Sequence, residues 1–250
     1  VAEVDDFMLE FGDTLKTPSE LGEPALILLY GKAGSGKTHC AASICEVEGF
    51  NKTLIIDTEG SASGTVAGFP DDRLKIKSVN TREEFNNLLK KLCDPNYSHP
   101  FDAVIIDTFD VAQEREIDYL LKTVKNEKGV LDTRAAWGEV RKWSIKVARM
   151  LEAAKFTGIL VTHETTDKLE SGSILSTVML SGSAKDVVPG IPGIIGYTVR
   201  EVKDGKEVTT IQFAASTKRA TKNRFHLPQE MSGASMTDIY DYIRNNEEEN

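Results

Sequence analysis

Short runs of consecutive apolar residues recur along the chain, separated by longer stretches with helical spacing. Residues 25–30 (ALILLY), 52–56 (KTLII), 103–106 (AVII) and 158–162 (GILVT) are largely apolar without alternation. That is the pattern of strands buried on both faces of a parallel sheet. Residues 73–79 alternate instead, like a short strand with one wet face. Residues 39–47, 112–125 and 135–155 read as helices, the last with Val140, Trp143, Val147, Met150 and Leu151 on a helical period. Thr81 is a plausible N-cap for a helix to about Leu92, with Glu84 placed to complete a capping box. Residues 196–202 and 207–214 alternate around Asp204-Gly205, a hairpin turn, and a last helix is expected over 237–244. Together these predict an α/β fold: a doubly wound, mostly parallel sheet with a C-terminal antiparallel hairpin. A ligand of such a sheet sits beyond the carboxyl ends of the strands.

The pattern divides the chain into an N-terminal arm or edge element (1–23), one domain (24–246) and an acidic tail (247–250) expected to be solvated and disordered. The first segment is polar apart from Phe7, Met8, Leu9 and Phe11. Residues 164–193, rich in Ser, Gly, Thr and Pro, are too long for an ordinary connection and predict a functional loop or a mobile segment. No apolar stretch approaches the ~20 residues that span a bilayer. The polar, acidic start shows no signal-peptide pattern, so a cytoplasmic protein without membrane contact is expected. Cys40, Cys45 and Cys93 have no metal-like spacing, and an odd count without a framework fits a reducing compartment. Cys40 and Cys45 read as core packing.

Net charge is −9, which disfavours coating DNA through a general basic surface but leaves room for a local basic groove. Lys218, Arg219, Lys222 and Arg224 form one basic run. It can be a solvated face, a nucleic-acid contact, or a set of cations reaching the phosphates of a neighbouring subunit.

The candidate chemistry starts at residues 31–38, GKAGSGKT, a complete G-x-x-x-x-G-K-[ST] P-loop between a predicted strand and a predicted helix. Gly31, Lys32, Ala33, Gly34, Ser35, Gly36, Lys37, Thr38 and His39 would wrap nucleotide phosphates with backbone N–H groups and the positive end of the helix. Lys37 would reach the β- and γ-phosphates, and Thr38 would ligate Mg²⁺. Asp107 closes FDAVIID, four apolar residues followed by an acid, the pattern of a Walker B aspartate that holds Mg²⁺; the bland alternative is an acid starting a turn. Glu59, in LIIDTEG, is the preferred general base for the attacking water, with Asp57 as the alternative and a plain polar turn as the bland reading. His163 ends GILVTH, where it can contact the γ-phosphate or the water, or merely close the strand.

The order GKAGSGKT, IIDTEG, VIIDT, ILVTH resembles the RecA-like ATPase core over roughly residues 24–226. The resemblance implies ATP and Mg²⁺ as cofactors, Glu59 as the glutamate after the second strand, Asp107 as the Walker B acid, and His163 at the polar sensor position, where RecA has glutamine. KNR at Lys222–Arg224 is similar to the basic motif of RecA-like recombinases and DnaB-like helicases, which implies a homo-oligomer with ATP at subunit interfaces and Lys222 and Arg224 acting in trans. With its size, the chain is similar to phage-encoded RecA-core proteins, including single-strand annealing proteins, and that resemblance implies a host-cytoplasm location and single-stranded DNA as partner. The matching DNA-contact stretches are about 122–136 and 164–190; the first carries Lys122, Lys125, Lys128 and Arg134, the second only Lys168 and Lys185 against Glu164, Asp167, Glu170 and Asp186. The alternatives are a helicase or helicase-loader ATPase, or a nucleotide-gated binding module with little turnover. A small-molecule kinase ranks below these, because residues 164–193 hold no arginine for a lid.

Overall fold

The computed structural model describes residues 22–248 except 169–171, 204, 215, 217 and 234. Phe7, Met8, Leu9 and Phe11 therefore lie outside the described residues. The strands are β1 (Leu26–Gly31), β2 (Thr53–Asp57), β3 (Leu74–Ser78), β4 (Ala103–Asp107), β5 (Thr157–Lys168), β6 (Ile174–Val178), β7 (Ile194–Lys203), β8 (Lys206–Gln212), β9 (Lys222–Asn223) and β10 (Glu230–Ser232). The α-helices are α1 (Lys37–Ala42), α2 (Ala62–Thr65), α3 (Arg82–Leu92), α4 (Phe109–Thr123), α5 (Thr133–Glu152), α6 (Ala184–Val187) and α7 (Met236–Glu248). No helix among the described residues is long and apolar enough to cross a membrane.

The sheet runs β10-β8-β7-β1-β5-β4-β2-β3. Every pairing from β7 to β3 is parallel, while β8 and β10 add an antiparallel side. This is the fold expected of a RecA-like P-loop NTPase. The apolar runs explain it. β1, β2 and β4 are buried at every position, and their alternate residues feed two separate cores. Leu26, Leu28, Tyr30, Val104 and Ile106 join α3, α4 and α5 on one face. Ile27, Leu29, Ile105, Ile159 and Val161 join α1, its continuation and α7 on the other. Burying both faces requires helices on both, and parallel strands supply them through their crossovers.

Local signals hold where side chains cap the backbone. Thr81 Oγ1 accepts from Glu84 N at 3.2 Å, while the Glu84 carboxylate accepts from Asn80 N one residue before the cap. Asp132 caps α5 by accepting from Ala135 N at 2.9 Å. Cys40 and Cys45 are buried, and burial pushes their thiols up to about 12 and about 11, so they pack rather than react. Gly205 turns the β7–β8 hairpin with φ +76; Asp204 is outside the described residues.

Two expectations need correction. The stretch 164–193 is not one long loop: β5 continues to Lys168, β6 returns antiparallel to it, and α6 follows. The apolar run of β5 ends at Thr162, but the backbone ladder carries on through polar residues because β6 supplies partners. At the other end α7 runs through Glu248, so the acidic run begins inside a helix rather than in a disordered tail. Asn250 and Glu249 lie outside the described residues.

Candidate active site

Register places the candidate residues. Asp57 pairs with Asp107, Asp107 with Val161, and Gly31 with His163. The carboxyl ends of β2, β4, β5 and β1 are thus consecutive neighbours, and residues far apart in sequence meet there. The P-loop leaves β1 at Gly31 and turns through Gly34 (φ +74) and Gly36 (φ +91), a left-handed backbone that glycine adopts without strain. A Cβ on Gly36 would stand 2.4 Å from Thr209 Oγ1, so β8 packs directly under the loop. Ser35 Oγ and Thr198 Oγ1, 2.7 Å apart, tie it to β7 as well.

Lys37 is buried and donates to Gly31 O at 3.0 Å and Lys32 O at 2.8 Å, which folds its ammonium back across its own loop. Burial lowers its pKa, opposed by Asp107, Asp110, Glu59 and Glu164. Lys32, Ala33, Gly34 and His39 are exposed, and Gly36 and Thr38 half-buried, so the rim is open to a ligand. The Gly36 cap carries no side-chain hydrogen bond and the first turn of α1 no acid, which leaves its N–H groups for an anion. A cavity of about 470 Å³ opens beside the loop, lined by Gly34, Gly36, His39, Thr65, Arg200 and Thr209. That is the size of a small-molecule site.

Asp107 fits a cation ligand. It is 3% exposed, and its Oδ1 is buried without a hydrogen-bond partner among the described residues. Burial pushes its carboxyl up to about 6, against a hydrogen bond from the Thr38 side chain that lowers it. An unsatisfied buried carboxylate oxygen beside a hydroxyl is a costly arrangement that a divalent ion would relieve.

Asp57 and Glu59, the two candidate carboxylates after β2, are held in different ways. Asp57 Oδ1 accepts from Glu59 N and Gly60 N at 3.1 and 2.7 Å, and its Oδ2 from Ala62 N at 3.3 Å. Both its oxygens are engaged in shaping the turn. The Glu59 side chain is 28% exposed and set by side chains: Oε1 accepts from Thr108 Oγ1 at 3.1 Å and lies 3.5 Å from His163 Nδ1. Thr58 and Thr108 lock the ends of β2 and β4, with Thr58 Oγ1 donating to Thr108 O and Thr108 N donating to Thr58 Oγ1.

Lys37, Thr38, Glu59, Asp107 and His163 are thus gathered at one end of the sheet. Lys222 and Arg224 are not with them. Lys222 pairs with Ile195, three residues, roughly 10 Å of strand, before the level of Thr198 and Gly31. Its Nζ donates to Gly190 O at 2.6 Å, and burial together with nearby Arg224 lowers its pKa. Sequence reasoning missed Asp110 and Thr108. Asp110 is buried, with Oδ2 2.8 Å from His163 Nδ1. Its only signal was an acid three residues beyond Asp107, which falls in the first turn of α4.

A family model described as an AAA domain matches residues 23–225, most of the chain. No match is found among curated proteins.

Proposed function

The chain belongs to the AAA domain family and so is a P-loop NTPase by fold, and on that premise we propose that it binds and hydrolyses ATP with Mg²⁺ while handling single-stranded DNA in recombination. The observation that carries the reading is the convergence of Lys37, Thr38, Asp107, Glu59 and His163 at the carboxyl ends of four adjacent strands. The P-loop N–H groups and Lys37 would take the phosphates, with Lys37 leaving its loop carbonyls to do so. Thr38 and Asp107 would hold Mg²⁺, which supplies charge neutralisation at the β- and γ-phosphate oxygens. Glu59 would accept a proton from the attacking water, and His163 would position that water or the γ-phosphate. The cavity beside Gly34 and Gly36 offers room for the nucleoside.

Lys222 and Arg224 cannot serve their own P-loop from where they lie, which supports a role across an interface in a homo-oligomer. The DNA part rests on the RecA-like core and on the β5–β6 hairpin that His163 leads into. One observation favours a second reading, an ATPase of the same core that serves a helicase or its loader. Lys185 donates to both oxygens of Asp167 at 2.8 Å, so one of the few cations near the hairpin is already neutralised.

ATP turnover with and without single-stranded DNA tests the proposal, with stimulation expected. Glu59→Gln should keep nucleotide binding and reduce turnover at least ~100-fold. Retained turnover would remove Glu59 from the role of base. Nucleotide binding without turnover in the unaltered protein would favour a nucleotide-gated binding module.

A further inference from the structure

Asp110 lies in the first turn of α4 and is 4% exposed. Both its oxygens serve one residue. Oδ1 accepts the backbone N–H of His163 at 3.2 Å, and Oδ2 stands 2.8 Å from Nδ1 of its ring. A carboxylate only accepts, so the nitrogen facing it carries the proton. Glu59 Oε1 is farther from the same nitrogen, at 3.5 Å, and has Thr108 Oγ1 as its own donor at 3.1 Å. The Nδ1 proton therefore belongs to Asp110, and Nε2 is the ring nitrogen left for a ligand.

The backbone half of the clamp matters equally. His163 is the last β5 residue in register with β1, opposite Gly31 at the mouth of the P-loop. From Glu164 onward β5 pairs with β6 instead, and His163 O accepts from Met179 N at 2.9 Å. Asp110 thus grips the strand where it passes from sheet to hairpin.

We propose that Asp110 is a positioning residue for hydrolysis: it holds His163 as the Nδ1–H tautomer, presents the Nε2 lone pair as an acceptor for a proton of the attacking water, and leaves Glu59 to act as base. An acid that orients a histidine through Nδ1 while Nε2 works is a general device of acid–base sites. The inference rests on the ATP-hydrolysis reading of this site, and its test separates the two.

The nitrogen shifts of the His163 ring, read by ¹⁵N NMR on nucleotide-free protein, give the tautomer directly. Nδ1–H is expected in the unaltered chain. In Asp110→Asn, whose amide can either accept or donate, a mixture or the Nε2–H form is expected. The same variant should lose roughly 10–100-fold in kcat with KM changed less than about threefold. Because both groups act through one ring, adding Asp110→Asn to His163→Gln should cost less than about twofold beyond His163→Gln alone. An Nε2–H ring in the unaltered protein overturns the proposal. So does an undiminished loss from Asp110→Asn on top of His163→Gln, the result of a purely structural role. If the unaltered protein hydrolyses no ATP, the hydrolysis reading fails, and the ring shifts still decide whether Asp110 sets the tautomer.

Discussion

At Asp107 the requirements of folding and of ligand binding oppose one another. Its carboxyl is buried, with Oδ1 unsatisfied among the described residues, and burial pushes it up to about 6, above the ~3.9 of an exposed aspartate. The folded chain therefore binds this proton more tightly than the unfolded chain does. Stability from this group rises as pH falls from about 7 towards 4, and ionising it at pH 7 costs about 3 kcal/mol. Asp107→Asn should raise the thermal midpoint of the nucleotide-free protein at pH 7, flatten its pH dependence between about 4 and 6, and abolish any Mg²⁺-dependent gain in nucleotide affinity. A variant no more stable than the parent at pH 7 would contradict the cost assigned to this burial. The sequence pattern already singled out Asp107, because four apolar residues followed by an acid is a local signal. Asp110 escaped notice since its partner is 53 residues away and only the register of β4 beside β5 brings the two together.

Between elements, the helices over one face are joined by a polar cluster. Arg82 of α3 pairs with Glu116 of α4 through Nε at 2.7 Å and Nη2 at 3.1 Å. Asn86 donates to the same carboxylate and accepts from Trp143 Nε1 of α5 at 2.8 Å. The Glu116 side chain is 4% exposed, so removing its partner leaves a charge nearly dry. Arg82→Ala should cost about 3 kcal/mol in a denaturation experiment, well above the ~0–1 of a surface pair. Arg82→Ala combined with Glu116→Gln should recover much of that loss; additive losses would mean the pairing contributes little. α3 itself was legible from Thr81 and Glu84, whose signals lie within one turn. The extension of β5 was not, because residues 164–168 are polar and only the partner β6 makes them a strand.

For the whole molecule the open quantity is assembly. Lys222 lies three β7 residues, roughly 10 Å of strand, before the level of Gly31, so one subunit holds both halves of the proposed site without joining them. A subunit with Lys37→Ala and a subunit with Lys222→Ala should each be inactive alone. Mixed, they should regain turnover, since in random assembly about a quarter of interfaces combine an intact P-loop with an intact Lys222. A mixture as inactive as its components would place Lys222 outside the site.

What the sequence determined by itself is whatever is written in neighbouring residues. The P-loop, the apolar strands, the Walker B pattern, the hairpin and the α3 cap each depend on spacing within a few positions, and backbone geometry converts such spacing into structure. The fold class followed from strands apolar on both faces, since only helices on both sides can cover them. The tertiary structure alone showed that Asp57 is committed to the N–H groups of its turn while Glu59 is held by the Thr108 side chain. It alone joined Asp110 to His163 and set Lys222 apart from Lys37. Those relations depend on strand order and register, which arise from long-range packing and leave no mark on the residues next to each other in the chain.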